Sequence, residues 1–128
     1  MKRIIVTLAV LSFIFISCCA DHLAYLSKDQ AQKATIYLQK QTEVLLWCAC
    51  CDKDPKLIVK VSKVYYEYIG NKQFYHIILI GINQKGKQVK EELDLAYVHI
   101  IKNGKWYSLG HELGFKCDPC TEPFIFKK

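Results

Sequence analysis

The sequence is nearly devoid of arginine, since Arg3 is the only one among 128 residues. Arginine makes the bidentate contacts with phosphate groups and base edges that specific nucleic-acid recognition uses. Its absence from the rest of the chain therefore argues against a nucleic-acid partner. Methionine is equally scarce, because Met1 is the only one, and this disfavours a copper site with thioether ligands.

The sequence also lacks the signatures of common catalytic sites. It contains no glycine-rich phosphate loop, no nucleophile elbow and no paired-carboxylate motif. The stretch His111-Glu112-Leu113-Gly114 matches the beginning of a zinc-protease helix, but Phe115 stands where the second histidine is required. These absences favour a protein that is not an enzyme.

The first 20 residues have the three parts of a secretory signal peptide. Lys2 and Arg3 supply the positive start, residues 4–16 form an apolar run, and small residues follow. The run is shorter than the roughly 20 residues that a membrane-spanning helix needs. The sequence therefore predicts export, with cleavage either before Cys18 or after Ala20.

The stretch Phe15-Ile16-Ser17-Cys18 resembles a relaxed bacterial lipobox, in which a small residue precedes the cysteine that becomes acylated. The resemblance implies a bacterial lipoprotein with its lipid anchor on Cys18, on the periplasmic side of the envelope or at the outer membrane. The alternative is that signal peptidase I cuts after Ala20. In both cases residues 1–20 are the signal peptide region and residues 21–128 form a single small domain.

Lysine supplies nearly all of the positive charge that follows the signal peptide. Removing Lys2 and Arg3 leaves 16 basic and 12 acidic residues, a net charge of +4. Lysines in this number are ordinary solubilising surface charges. Near an anionic membrane, each well-placed lysine adds ~1 kcal/mol of attraction, which would help an anchored domain to lie on the surface.

Residues 28 to about 47 are predicted to form one long amphipathic helix. Ser27 and Gln30 have the spacing of a capping box, and Asp54 before Pro55 ends the pattern. Small and apolar residues recur at helical spacing, namely Ala31, Ala34, Thr35, Leu38, Thr42, Leu45 and Leu46. We expect this stripe to pack on the core.

The remainder of the domain predicts four β-strands, at residues 57–68, 74–82, 89–101 and 106–109. The alternation slips near Ser62-Lys63, which predicts a β-bulge, and Asn103-Gly104 predicts a hairpin. Short connections make neighbouring strands pair in order. The predicted fold class is α+β, with one long N-terminal helix packed on a four-stranded antiparallel meander sheet and stapled by cysteines. In outline this is similar to cystatin-like and NTF2-like folds, an analogy that implies no function.

The chain contains seven cysteines, which favours an oxidising compartment. Five of them form two clusters at the ends of the strand region, namely Cys48, Cys50, Cys51, Cys117 and Cys120. Disulfides between the clusters are predicted, with the pairing left open. Such a bridge closes a long loop, for which the chain-entropy model gives a stabilisation of ~4 kcal/mol.

Two other uses of these clusters remain open. Cys48, Cys51, Cys117 and Cys120 have the paired spacing of a tetrathiolate zinc site. Cys117-Asp118-Pro119-Cys120 also resembles the Cys-x-Pro-Cys motif of thioredoxin-like proteins, which implies thiol-redox activity.

The polar and aromatic residues of the strands supply the other candidates. His76 and His99 lie among isoleucines, and a structural role is expected for both. Aromatic side chains crowd the predicted sheet, at Tyr65, Tyr66, Tyr68, Tyr75, Tyr97, Trp106 and Tyr107. Those that face outward are candidates for binding a ligand or partner, and cross-strand aromatic pairs are the alternative.

The sequence thus predicts an exported, lipid-anchored protein of the bacterial cell envelope, acting through its sheet surface as a non-enzymatic binding or interaction module. The expected partners are the membrane, through the lipid anchor, and a protein. No cofactor is expected. The alternative is a zinc-binding or thiol-redox protein of the envelope that uses the two cysteine clusters.

Overall fold

A computed structural model of the chain describes residues 23–48, 55–115 and 123–126. Within these residues, two helices and six strands follow one another, with a 3-10 turn between the fourth and fifth strands. They are α1 (Lys28–Gln39), β1 (Glu43–Leu46), β2 (Leu57–Ile69), β3 (Phe74–Asn83), β4 (Gln88–Leu93), the 3-10 turn (Leu95–Tyr97), β5 (Val98–Lys102), β6 (Lys105–Ser108) and α2 (Leu109–Glu112).

Helix α1 begins as predicted but ends early. The Ser27 hydroxyl accepts a hydrogen bond from the backbone N–H of Gln30, and the Gln30 side chain accepts one from the N–H of Ser27. The capping box is therefore confirmed. The buried side of the helix consists of Ala31, Ala34 and Leu38, but the helix stops after 12 residues. The prediction of one long helix to about residue 47 is wrong.

The error lies in the short apolar run at residues 43–46, which forms strand β1. Runs of this length fit helical and strand periods equally well. Val44 and Leu45 are both fully buried, but they pack into two different clusters of apolar side chains. Adjacent residues of a strand point to opposite faces, so a strand buries both of them in separate layers. Tertiary packing therefore selects the strand.

The six strands form one antiparallel sheet in the order β4-β3-β2-β1-β5-β6. Strands β2, β3 and β4 pair in chain order, as expected. Strand β1 lies between β2 and β5, and it joins that three-stranded part to the β5–β6 hairpin. The fold is thus mostly β, with a short helix on a six-stranded sheet, and the predicted long helix on a four-stranded meander is wrong.

A β-bulge interrupts the pairing of β2 with β3, as the sequence predicted. The register shifts between Val61 and Lys63. Opposite this point lies Gly81, where an added Cβ would be 2.2 Å from the carbonyl oxygen of Lys60. No real Cβ approaches that closely, so glycine is required where the bulged strand crosses its neighbour.

The β5–β6 hairpin has the turn that its Asn-Gly sequence predicts. Asn103 and Gly104 have φ angles of 53° and 79°. A type I′ turn needs positive φ at both central residues, which is why Asn-Gly is favoured there. The prediction of a hairpin at this position is confirmed by the pairing of β5 with β6.

Two clusters of buried residues lie on the two faces of the sheet. Helix α1 covers one face, where Ala31, Ala34 and Leu38 pack with strand residues such as Val59 and Ile77. On the other face, here called the outer face, a smaller cluster contains Leu45, Ile58 and Trp106, with Trp47, Phe124 and Phe126 packed against it. The sheet therefore has apolar cover on part of each face.

Residues 123–126 hold this second cluster in place. The backbones of Trp106 and Phe124 pair as an isolated bridge, with N–H to carbonyl distances of 2.8 and 3.1 Å. The indole N–H of Trp106 donates to the carbonyl oxygen of Phe126 at 3.3 Å. The segment thus extends the β6 edge and lays its two phenylalanines on the outer face.

Candidate functional site

Cys48 is the only cysteine among the described residues. It follows strand β1, exposes 7% of its surface and is disulfide-bonded. Cys50, Cys51, Cys117 and Cys120 lie outside the described ranges. The staple between the two clusters and the pairing of these cysteines therefore stay predictions.

The zinc site and the lipidation site also fall largely outside the described residues. Within residues 23–48, 55–115 and 123–126, no group of three or more histidine, cysteine or acidic side chains could hold a metal ion. Of the four zinc candidates only Cys48 is included in that search, so the zinc site stays a prediction. Cys18 and the signal peptide are likewise outside.

The described helices are short. None of them is long and apolar enough to cross a bilayer.

His76 lies on the outer face between two carboxylates. Its Nε2 is 3.3 Å from Oε2 of Glu67, and its Nδ1 is 2.9 Å from Oε1 of Glu92. The imidazole exposes 15% of its surface. Burial lowers the pKa of His76, but the two carboxylates raise it by more, so the net pKa lies above the ordinary 6.5. The three groups form a charged cluster on the open part of the face.

His99 lies on the same face of the sheet in very different surroundings. It is 1% exposed, directly opposite Leu45 on one side and Ser108 on the other. Its ring lies 6.1 Å from the Trp47 ring and 5.3 Å from the Phe124 ring. Burial lowers the pKa of His99 to about 4, against smaller opposing effects of backbone hydrogen bonds. The side chain is therefore neutral near pH 7.

His111 and Glu112, the beginning of the incomplete zinc-protease motif, lie in the short helix α2. His111 is exposed, and the Glu112 carboxylate pairs with the Lys102 ammonium at 2.6 Å. This ion pair joins α2 to the end of β5. The contact fits a structural role for Glu112.

A cluster of aromatic rings next to His99 forms the most distinctive site. We call Trp47, Phe124 and Phe126 the aromatic site. The Trp47 and Phe124 rings meet edge to face, with centroids 5.2 Å apart and planes 68° apart. The Lys56 ammonium lies 4.1 Å from the centroid of Trp47 and 5.3 Å from that of Phe126. Two aromatic faces therefore hold one cation between them.

The aromatic site is fixed by the backbone around it. The N–H of Trp47 donates to the carbonyl oxygen of Tyr97 at 2.9 Å, which holds the end of β1 against the turn before β5. Phe124 is fixed by its bridge to Trp106. The rings remain half-buried, so the site combines a rigid base with an accessible rim.

A shallow groove lies on the other side of the molecule, between α1 and the end of α2. It has a volume of about 430 Å³ and is lined by Lys33, Ile36, Tyr37, Lys40, Gln41 and Leu113. Burial raises the pKa of Tyr37, and the nearby Glu112 carboxylate adds to that effect. The groove is open and offers few polar groups that converge on a ligand.

The aromatic residues of the sheet differ in their contacts and in their exposure to water. Tyr66 and Tyr75 lie edge to face with centroids 5.6 Å apart, and Tyr68 and Tyr75 lie 5.2 Å apart. These contacts are cross-strand aromatic pairs, the alternative to a binding surface. Trp106 is buried, with 1% exposure, whereas Tyr68 exposes 58%.

Sequence reasoning missed the aromatic site. Trp47 was assigned to the end of a helix, and no function was assigned to Lys56, Phe124 or Phe126. These residues come together only because β1 enters the sheet and the C-terminal segment pairs with β6. The alternation of Phe124 with Phe126 was the one available signal, because it is typical of a short extended segment with one apolar face.

Comparison with protein families, with curated proteins and with solved structures found no match for this chain.

Proposed function

We propose that this chain is an exported, lipid-anchored binding module of the bacterial envelope, without enzymatic activity, that binds an organic ammonium group at the aromatic site. Export and the anchor at Cys18 are supported by the sequence pattern of residues 1–20. The ammonium specificity is supported by a single observation, the position of Lys56 over Trp47 and Phe126.

Cations are attracted to aromatic faces by the negative potential above the ring, and the attraction is strongest for tryptophan. Here two ring faces lie within about 6 Å of one cation. Proteins recognise quaternary ammonium groups by this arrangement. Lys56 occupies the position that a ligand's ammonium group would take. It therefore acts as an internal competitor for the site.

The surroundings of the aromatic site add no further positive charge that would repel a cation. His99, on the inner side of the rings, has its pKa lowered to about 4 and is uncharged at neutral pH. It therefore adds no repulsion, whereas a protonated imidazole would. A bulkier, weakly hydrated ammonium group loses less hydration on entering the site than the Lys56 ammonium does, so it can displace Lys56.

The test is a titration of the purified protein with choline chloride. Binding is monitored through tryptophan fluorescence and through the indole signals in NMR spectra. We expect Lys56→Gln to raise the apparent affinity about five-fold, because it removes the internal competitor. Trp47→Leu should abolish binding. A parallel titration with Nα-acetyl-lysine amide distinguishes a lysine side chain from a quaternary ammonium group as the preferred source.

Lys60→Gln is the matched control, because it removes the same charge from a neighbouring exposed position on β2. If Lys60→Gln raises the affinity as much as Lys56→Gln does, the effect is one of net charge and the proposed site is wrong. Equal titrations of wild type and Trp47→Leu would also contradict it. The anchor is tested separately by the mass of the mature N-terminal peptide.

A further inference from the structure

We propose that the β2–β3 tip, defined by Tyr25, Tyr68, Lys72 and Phe74, docks into the interface of the lipid bilayer that carries the anchor. The inference rests on the lipid anchor of the proposed function. It adds a second, protein-made contact with the membrane, at a surface separate from the aromatic site.

The three exposed aromatic side chains of the described residues all lie at this tip. Tyr25, Tyr68 and Phe74 expose 46%, 58% and 46% of their surfaces. The other large apolar residues with comparable exposure are isoleucines scattered elsewhere, at positions 36, 82, 101 and 125. Tyrosine prefers the water–lipid interface, because one end of its side chain is apolar and the other is polar. Phenylalanine adds an apolar ring that can be buried below the headgroups.

The hairpin geometry presents these rings in the way an inserting tip requires. Tyr68 lies opposite Tyr75, whereas Phe74 lies opposite Ile69, so Tyr68 and Phe74 are on opposite faces of the hairpin. The Lys72 ammonium is 2.8 Å from the Tyr25 hydroxyl and 4.2 Å from its ring centroid. A lysine in this position can extend its charge toward lipid headgroups while its stem stays among the rings.

The N-terminal segment arrives at the same tip. Leu26 and Tyr75 exchange two backbone hydrogen bonds of 2.8 Å, and the N–H of Leu23 donates to the Asp94 carboxylate at 2.8 Å. Four residues separate Cys18 from Leu23, and the five steps between their Cα atoms span at most ~17 Å. An acylated Cys18 would therefore hold the bilayer surface within reach of Tyr25, which is two residues further along.

The charges near the tip indicate how the contact is made. Lys72 is the only charged residue from position 68 to position 75. His76, with Glu67 and Glu92 around it, follows immediately on the outer face. With so little net positive charge, the tip would bind through its aromatic rings, and the contact should depend only weakly on salt.

Amide hydrogen exchange tests the proposal directly. The mature protein is compared free in solution and on vesicles of phosphatidylethanolamine and phosphatidylglycerol. We expect the amides of residues 68–75 to exchange about ten-fold more slowly on vesicles. The β5–β6 hairpin is the internal control, because its tip at Asn103-Gly104 is flanked by Lys102 and Lys105 and bears no exposed aromatic ring.

A matched pair of triple variants completes the experiment. Tyr25→Ser, Tyr68→Ser and Phe74→Ser together should remove the protection. Ile36→Ser, Ile82→Ser and Ile125→Ser together should leave it unchanged, although they also remove three exposed apolar side chains. Circular dichroism is used to check that both variants are folded. Protection that survives the first triple variant, or no protection on lipid vesicles, would overturn the proposal, and the latter would favour a protein as the occupant.

A second form of the protein separates this inference from the anchor itself. The mature chain with an N-terminal hexahistidine tag is held on vesicles by nickel-chelating lipid, which supplies a tether whether or not Cys18 is acylated in cells. Slow exchange at the tip in this form supports docking even if mass spectrometry finds no acyl group. Fast exchange in this form overturns docking even if Cys18 is acylated.

Discussion

Two halves of the outer face of the sheet differ in what covers them. The half built from β1, β5, β6 and the start of β2 lies under residues 123–126, and both Trp106 and His99 are 1% exposed there. The half built from the rest of β2, β3 and β4 has no such cover among the described residues, and Ile82 exposes 42% of its surface. Each half contains one histidine, so the face offers a natural comparison of how surroundings set stability and charge.

The comparison shows that cover, rather than residue type, decides the properties of these side chains. Aromatic neighbours take water away from His99, and its pKa falls to about 4. Two carboxylates flank His76, and its pKa rises above 6.5 although burial alone would lower it. Side chains of the covered half should therefore contribute most to the free energy of unfolding, whereas side chains of the open half should mainly hold charge at the surface. Three predictions separate these roles.

The largest effect is expected when the covered half loses its central ring. Trp106→Ala removes a fully buried indole that packs against Leu45 and Ile58, and such truncations cost about 3–5 kcal/mol of unfolding free energy. Ile82→Ala on the open half is the matched truncation, with an expected cost of less than about 1 kcal/mol. Urea denaturation measures both. Equal losses would mean that the two halves are not covered differently.

The second prediction concerns acid. Because the folded pKa of His99 is about 4 and the unfolded value is about 6.5, the unfolded state binds the proton more readily in that interval. Stability is therefore complete above pH 6.5 and falls as the pH drops from 6.5 to 4. The difference between the two pKa values corresponds to about 3 kcal/mol.

A comparison of pH profiles isolates this effect from the carboxylates that titrate in the same range. His99→Phe keeps an aromatic ring in the cluster but cannot be protonated, so its unfolding free energy should fall less steeply between pH 6.5 and 4. His111→Gln, which changes an exposed histidine, should follow the wild-type profile. If His99→Phe keeps the wild-type slope, the buried imidazole is not the group responsible.

Local signals in the sequence predicted the parts of the fold that are locally determined. The capping box at Ser27, the bulge near Ser62 and the turn at Asn103-Gly104 each depend on residues within a few positions of one another. Strand β3 was recognised because it is apolar on both faces. These features need no knowledge of the rest of the chain.

The parts that were missed depend on contacts between distant segments. Strand β1 has a sequence that fits a helix, and it is a strand because β2 and β5 pair with it on both sides. The aromatic site brings Trp47 together with Phe124 from the other end of the chain. Two errors hid the six-stranded sheet. Strand β1 was predicted as helix, and residues 89–101, predicted as one strand, form β4, the 3-10 turn and β5. The first error also hid the aromatic site, since a helical Trp47 would not face Phe124.

The smallest effect is expected on the open half, at His76. A histidine with a raised pKa stabilises the fold fully below its unfolded value of about 6.5, and that contribution is lost as the pH rises through the folded pKa. Glu67 and Glu92 are more than half exposed, at 52% and 56%, so the contribution should not exceed about 1 kcal/mol.

NMR titration of the imidazole measures this pKa directly, and Glu67→Gln with Glu92→Gln is the decisive variant. Without its two carboxylates His76 keeps only the effect of burial, so its pKa should fall below that of the wild type. An unchanged His76 titration in the double variant would mean that the carboxylates do not set the charge of His76. His76 and His99 would then differ only in their exposure to water.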